Sequence, residues 1–258
     1  MTRLSVNLNK VALVRNARSG LAEGGRPALR PLAEAALAGG AVGVTLHPRP
    51  DGRHARAADA HDLAAWLPAG AELNLEGNPF AGPQTVGGYA YPGFRALVGA
   101  AAPAQATLVP DAAGQLTSDH GWDLARDGER LAPIVAAMRA AGARVSLFLD
   151  PDAALMARAA ALGADRVELY TGPYAQAAAA GRAGAVLARY AEAAEAAHAA
   201  GLGVNAGHDL DLDNLGPFLD AVPHVAEVSI GQALVADALQ MGMRDAVRAY
   251  VGVLERAG

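Results

Sequence analysis

Short apolar runs alternate with helix-like stretches almost from end to end of this chain, and that alternation limits the folds open to it. The runs are Leu4–Leu8, Gly43–His47, Glu72–Glu76, Ala106–Pro110, Arg144–Asp150, Asp165–Tyr170, Leu202–Ala206 and Glu227–Ile230. They are short and apolar, as strands of a buried parallel sheet should be. Helix-like stretches fall between them: Arg26–Ala38, closing in Gly39 and Gly40, then Ala57–Trp66, Phe94–Ala101 and Leu124–Ala141. A helix opening near Asp150 or Asp152 comes next. Tyr174–Ala200 follows, with a break near Gly181–Gly184, then Asn214–Val222 and a closing helix, Gln232–Arg256. Gly77–Gly93, rich in Gly and Pro, reads as one long loop, and loops of that length inside a compact domain are usually functional or disordered. Eight strands, each followed by helix, predict an α/β fold, a (β/α)8 TIM barrel with extra helices. One domain over residues 1–258 is expected, because no linker separates two compositionally different halves. A doubly wound open sheet is the rival, but residues 8–20 lack the Gly-rich turn of a dinucleotide fold.

Composition narrows the function. Net charge is −5 at pH 7, which argues against nucleic-acid binding, since that needs a basic face. An anionic ligand must therefore meet a local basic cluster. Cysteine is absent, so disulfides, thiolate catalysis and cysteine metal sites are excluded. The opening MTRLSVNLNK has no apolar signal core, and no apolar run approaches the roughly 20 residues that span a membrane. A cytoplasmic protein with no membrane partner is the expectation.

In a barrel of this kind the active site lies at the C-terminal ends of the strands. Polar residues recur there: Asn7, Asn9 and Lys10 after the first strand, with Arg15 and Arg18 beyond; His47, Arg49, Arg53 and His54 after the second; Glu76 at the third. Glu168 and Thr171 lie on the sixth, Asn205, Gly207 and His208 on the seventh, and Gly231 and Gln232 on the eighth. The strand starts carry little beyond Arg3 and Arg144. GVTLHPRPDGRH is the densest of these ends, where arginine forks and imidazoles suit a phosphorylated, carbonyl-bearing substrate; a basic surface loop is the plain alternative. Glu76 closes an apolar strand, so desolvation should raise its pKa and suit it to proton transfer, unless it is simply paired with a cation. His47 and His208 sit nearly opposite each other in an eight-strand ring and could work on two faces of one substrate. A metal would be the rival use of two histidines and a carboxylate, but no HxH or HExxH spacing is present. His61, His198 and His224 read as structural or solvated, and His120 lies in the loop Gln115–Trp122. Glycine-containing segments after strands seven and eight, NAGHD and IGQA, could cradle phosphate, with Arg18, Arg49 and Arg53 holding a second anion.

Nine segments in order resemble the pyridoxine 5′-phosphate synthase family: VNLNKVALVRNARSG, GVTLHPRPDGRH, NLE (Asn74–Glu76), LVPD, LTSDHGWDL, VSLFLD, VELYTGPYA, VNAGHDL and SIGQAL. The resemblance runs from Val6 to the last helix. It implies condensation of 1-deoxy-D-xylulose 5-phosphate with 3-amino-2-oxopropyl phosphate to pyridoxine 5′-phosphate, phosphate and water, with no metal or organic cofactor. It implies acid–base roles for His47 and Glu76 and a proton-donating role for His208. Substrate contacts carry over to Asn7, Arg18, Arg49, His54, Thr117 and Gly231. A covering loop is implied near Asp111–Gly121, and so is a homo-octamer. The chain has Asn9 and Lys10 where the family has Asp-His, Asp209 where it has Gly, and Gly231-Gln232 where it has Gly-His; Gly77–Gly93 is also longer. These positions are expected to meet substrate, Lys10 as a cation. Two rivals remain at this point. One is another phosphosugar isomerase or aldolase, for which Lys10, the chain's one lysine, would be the Schiff-base residue. The other is a non-catalytic barrel that binds a phosphorylated ligand.

Overall fold

The computed structural model describes residues 1–19, 25–112 and 114–257. Among these residues, eight parallel strands close into a barrel: β1 (Arg3–Asn7), β2 (Gly43–Leu46), β3 (Glu72–Gly77), β6 (Gln105–Leu108), β7 (Arg144–Leu149), β8 (Arg166–Leu169), β9 (Gly203–Ala206) and β10 (Val225–Ile230). The remaining two, β4 (Gln84–Val86) and β5 (Tyr89–Tyr91), form a separate hairpin outside the ring. Around the ring the order is β1-β10-β9-β8-β7-β6-β3-β2, and β2 closes it on β1 through Ser5–Gly43, Val6–Val44 and Asn7–Thr45 pairing. Helices fill the connections, so the fold is a (β/α)8 barrel.

The strands are not uniformly apolar. Leu4, Val6, Val44, Leu73, Leu75, Val145, Leu147, Val167, Val228 and Ile230 are buried in the hydrophobic core. Between them stand buried polar residues that meet one another across strands. Thr45 Oγ1 lies 2.8 Å from Ser5 Oγ and accepts from Ser229 Oγ (3.0 Å), and Thr107 donates to Asn74 Oδ1 at 3.1 Å. Period-two alternation thus turns apolar side chains out to the helices and polar ones into a hydrogen-bonded barrel interior. Each fully buried Leu or Val on the outer layer contributes about 1.5–3 kcal/mol.

The strand starts also differ from expectation. Arg3 and Arg144 are joined there by Glu72, Gln105, Arg166 and Glu227. Arg166 donates to Asn205 (2.8 Å) and Glu227 (3.2 Å), and Arg144 to Gln105 at 2.8 Å. Buried charges survive only when paired, and Glu227 is paired with arginines on three strands. A polar strand end therefore does not by itself mark the functional end of this barrel.

Three element readings need correction, and one element was not read at all. Asn9–Ser19 is a helix, although no amphipathic stripe announces it: Val11, Ala12 and Arg15 face inward while Leu13 and Val14 are exposed. The first long helix begins at Leu29 rather than Arg26, because Ala28 is still extended (φ −77°, ψ 146°). Tyr174–Ala200 breaks where expected, into Gly172–Ala179 and Ala183–Ala199, but the closing helix, read as one, is two, Gln232–Met241 and Met243–Arg256, divided at Gly242 with φ 85°. The Gly77–Gly93 stretch is not structureless. Gln84–Val86 and Tyr89–Tyr91 pair antiparallel about Gly87 and Gly88, both at positive φ, which is the two-residue turn that twists correctly for a hairpin. Tyr89 Oη accepts the Ala57 N–H at 2.8 Å, so the hairpin is clasped to the segment after β2.

Close strand contact has one sharp consequence. A Cβ on Gly43 would stand 2.3 Å from the Glu72 carbonyl oxygen, a backbone atom that cannot swing aside. Gly43→Ala is expected to destabilise the fold by about 1–3 kcal/mol through overpacking, read as a lower denaturant midpoint at unchanged m-value.

Candidate active site

A cavity of about 530 Å³ opens at the C-terminal end of the barrel. Its wall includes Asn7, Asn9, Lys10, His47, Arg49, His54, Glu76, Thr117, His208, Asp209, Gly231 and Gln232. Of the residues expected to touch substrate, Arg18 is not brought there; it is exposed on the last turn of the Asn9–Ser19 helix.

The first helix acts as a bracket for the second strand. Asn7 Oδ1 accepts the Asn9 N–H (3.0 Å), and Asn9 Oδ1 accepts the His47 N–H (2.8 Å). Asn16 donates to the carbonyls of Gly52, Arg53 and His54. Arg15 grips Asp59, whose carboxylate also accepts the Arg56 N–H and so caps the Ala57–Trp66 helix. The loop bearing His47, Arg49 and His54 is thus pinned from two sides, which is the preorganisation a catalytic loop needs.

Two carboxyls share the floor. Glu76 accepts from Asn7 Nδ2 (3.3 Å), and its Oε2 is 3.8 Å from His47 Nδ1. Burial, then the charge of Asp111, pushes its pKa up to about 7 against the opposing pull of His208, Arg49 and Asn7. Glu168, on β8, has a buried Oε2 with no hydrogen-bond partner, and burial, with Glu76 and Glu227 adding to it, holds its pKa well above the usual carboxylate range. Glu168 is therefore a neutral acid, while Glu76 can take or give a proton near neutrality.

The imidazoles are set apart by their surroundings. Burial, followed by the positive charge of Arg49, holds His47 well below its ordinary pKa, in the neutral form. His54 is pushed down to about 3 by burial, then by Arg49, Arg53 and Lys10; its Nδ1 is buried and unpartnered, and its ring meets His47 edge-on with centroids 5.9 Å apart. His208 moves the other way. Burial alone would lower it, but the Asp209 hydrogen bond and charge, with Glu76 and Asp111 behind them, raise its pKa.

The segment after β6 folds over this group. Arg49 pairs with Asp111 and donates to the Gln115 carbonyl at 2.7 Å, and Arg53 reaches the same carbonyl. Ser118 donates to Asp111 at 2.9 Å, and Thr117 Oγ1 lies 3.1 Å from His208 Nε2. Asp111 Oδ2 is also 3.7 Å from His47 Nε2. Sequence reasoning did not place Asp111 in the site, nor give Glu168 a role there. Glu168 carried a signal, standing between Val167 and Leu169 on an otherwise apolar strand. Asp111 carried none beyond the need of a buried arginine for a carboxylate. Lys10 projects from the first turn of its helix into the cavity, where burial, then Arg53 and Arg49, lower its pKa.

Two glycines shape the cavity wall beside β1. Gly231 precedes the Gln232–Met241 helix, whose N-terminal residues line the cavity, and its Cβ would crowd Asn7 at 3.0 Å. Gly207 has φ 141°, and a Cβ there would come within 2.4 Å of the Ser229 backbone, so only glycine lets β9 turn toward the site. A second chamber of about 410 Å³ lies between His47, Arg49 and Arg53 on one side and Phe80, Val86 and Tyr91 of the hairpin region on the other. His120 is exposed and bonded to its neighbour Asp119, His198 and His224 stack on each other at 3.9 Å, and none of the three lines the main cavity. Among the described residues no three His, Asp or Glu groups converge to hold a metal ion. No described helix is long and apolar enough to cross a membrane.

Comparison with known proteins fits this geometry. The barrel superposes on that of KGPDC from Streptococcus mutans (TM-score 0.60, 12% identity, 100% of this chain and 99% of the other). It also matches phosphoribosyl anthranilate isomerase from Thermotoga maritima (TM-score 0.57, 11% identity, 99% of each chain). At such identities the likeness is one of fold. Sequence relatives are much nearer: a pyridoxine 5′-phosphate synthase of Xanthomonas campestris pv. campestris (strain B100) is 54% identical over 254 residues, 98% of this chain and 96% of its own. One from Xylella fastidiosa (strain 9a5c) is 50% identical over 255 residues, covering 98% and 95%. The family model described as "Pyridoxal phosphate biosynthesis protein PdxJ" matches residues 4–256, and the chain belongs to that family.

Proposed function

We propose that the chain is a pyridoxine 5′-phosphate synthase that joins 1-deoxy-D-xylulose 5-phosphate to 3-amino-2-oxopropyl phosphate at this cavity, with His47, Glu76 and His208 moving the protons. The observation that carries the reading is that three titratable groups, drawn from three strand ends, line one cavity and are displaced in different senses by their surroundings, His47 downward and Glu76 and His208 upward. Neutral His47 is ready to accept a proton. Glu76, near its midpoint, can work in both directions. His208, raised by Asp209, is the histidine better suited to give a proton. One reaction that makes an imine, expels phosphate and closes a ring needs all three.

The amine of the aminoketone attacks the ketone of the pentose. Glu76 and His47 shift the protons that let water leave, giving an imine and then an enamine. His208 protonates the departing phosphate. Addition of water, aldol-type closure and a final loss of water give the aromatic ring. Arg49, Lys10 and His54, after β1 and β2, and Gly231 and Gln232, after β10, all line this cavity, a set of groups suited to holding phosphorylated substrates. Thr117, on the covering segment, stands where it can close behind them. Asn7 and Asn9 complete the substrate wall, with Asp209 beside it behind His208, and Arg18 joins it where substrate or a neighbouring chain reaches the end of the first helix.

The same reading makes the 258 residues one working domain in the cytoplasm, acting as a homo-octamer. Exposed Val14, Leu239 and Met241 on neighbouring helices favour burial against another copy. Purified protein mixed with the two phosphates is expected to release inorganic phosphate and to develop the absorbance of pyridoxine 5′-phosphate in equal amounts. Phosphate release without that chromophore, or neither, would remove the assignment.

A further inference from the structure

His208 and Asp209 form a carboxylate–imidazole pair inside the site. Asp209 Oδ2 lies 3.0 Å from His208 Nδ1. The pair is built rather than incidental. Gly207 sets the turn with its positive φ, and the Leu210 N–H closes it on the Gly207 carbonyl at 2.8 Å. The Asp209 N–H donates to Thr171 Oγ1 (3.1 Å) after β8, and Asn214 donates to the Asp209 carbonyl at 3.4 Å. Asp209 is thus tethered at both its N–H and its carbonyl, with its carboxylate toward the ring. On the far side of the ring, Nε2 faces Thr117 and the cavity.

We propose that Asp209 is a positioning residue that acts on the reaction through His208, holding the Nδ1–H so that Nε2 is the nitrogen presented to substrate and the ring keeps its proton-donating form. The inference rests on the reading of His208 as the acid. A carboxylate at Nδ1 fixes the tautomer: when His208 gives up its Nε2 proton, the remaining proton stays on Nδ1 against Asp209. The other charged or titratable groups about the ring are Glu76 from β3, Asp111 from the segment after β6, and His47 from the end of β2. The two carboxylates support the imidazolium and His47 opposes it, but Asp209 alone among them hydrogen-bonds the ring. Tyr170 lies on the outer side of Asp209 and is itself pushed up by burial, then by that carboxylate. A direct hold on substrate is the less natural use of Asp209, because a carboxylate repels a phosphate dianion.

Two variants, Asp209→Asn and Asp209→Gly, separate these roles. Each is expected to move the alkaline limb of the kcat profile down by about one pH unit, a roughly tenfold loss of kcat above the limb, as removal of an adjacent opposite charge predicts. KM for either phosphate should change by less than that. Ring ¹⁵N NMR of labelled holo-length protein, with the His208→Asn spectrum identifying the resonance, should show His208 titrating lower by the same amount and losing its single-tautomer signature. An unmoved ring titration in both variants overturns the proposal and leaves His208 as the acid. A ring titration that falls while the kcat limb stays in place also overturns it, and counts against His208 as the acid. A rise in KM with neither change would make Asp209 a substrate contact instead.

Discussion

Glu76→Gln is expected to lower kcat by about 10²–10⁴-fold, the usual worth of a positioned general base, while KM for both phosphates moves little. The amide keeps the size of the side chain and can still meet Asn7, so the β3 end should not shift. What disappears is the one group on the cavity floor whose pKa, about 7, lets it exchange protons in either direction at neutral pH. The pH profile gives a second readout. Glu76 must be ionised to accept a proton, so wild-type kcat should rise with pH through the region near 7 as that carboxyl loses its proton. In the variant this acidic limb should vanish and the residual rate become flat there. Glu168 should respond as well: with the charge of Glu76 gone, part of what raises its pKa is removed. Wild-type kcat in the Gln variant would end the assignment of Glu76 as a proton-transfer group.

The parts of the fold that were legible in sequence are those fixed by local physics. Ala57–Trp66 and Phe94–Ala101 were bounded correctly because capping residues, Pro68 and Gly93 punctuate them. His47, Glu76 and His208 stood out because a titratable side chain at the end of a short buried strand has a desolvation cost that only a partner or a function offsets. The failures have equally local causes. The Asn9–Ser19 helix puts only Val11 and Ala12 in the core, buries Arg15 against Asp59 and exposes Leu13 and Val14, so hydrophobic periodicity misreads it. That same helix explains Arg18. At 1.5 Å per residue the helix carries Arg18 roughly 12 Å beyond Lys10, and there its side chain is exposed rather than part of the cavity wall. The Gly87-Gly88 pair was a hairpin signal hidden inside a stretch whose Pro and Gly content suggested only irregularity.

The polar strand starts show a further limit. Alternation such as RVSLFL or RVEL can mean one face in water, or a barrel whose interior is itself polar, and nothing local distinguishes the two. Here Glu72 meets Arg3 and Arg144, and Glu227 meets Arg3, Arg144 and Arg166, only because closure brings β1, β3, β7, β8 and β10 around the same axis. Asp111 is hidden for the same reason: its meaning comes from Arg49 and His47, two strands away in sequence.

His208→Asn should reduce product formation by about 10³-fold or more, because it removes the acid without removing the cavity. The Asn side chain can still meet Asp209 and Thr171 keeps its bond to the Asp209 N–H, so the turn set by Gly207 should stand and the thermal midpoint should change little. The chemistry should stop at a defined place. Glu76 and His47 remain to assemble the imine and enamine, but no charged imidazole is left to protonate the phosphate as it departs. A single-turnover mixture quenched and weighed by mass spectrometry should therefore accumulate an adduct that still carries both phosphates and has lost one water. Glu168, a raised carboxyl on the adjacent strand β8, is the other group that carries a proton there, and phosphate loss by His208→Asn that disappears in the His208→Asn/Glu168→Gln double variant would hand the step to it. An adduct that had already lost phosphate would place the acid elsewhere, and Thr117, 3.1 Å from the same nitrogen, has no proton acidic enough to take over. The variant thus separates the two halves of the mechanism, with bond formation assigned to the β2–β3 side of the cavity and phosphate departure to the β9 side.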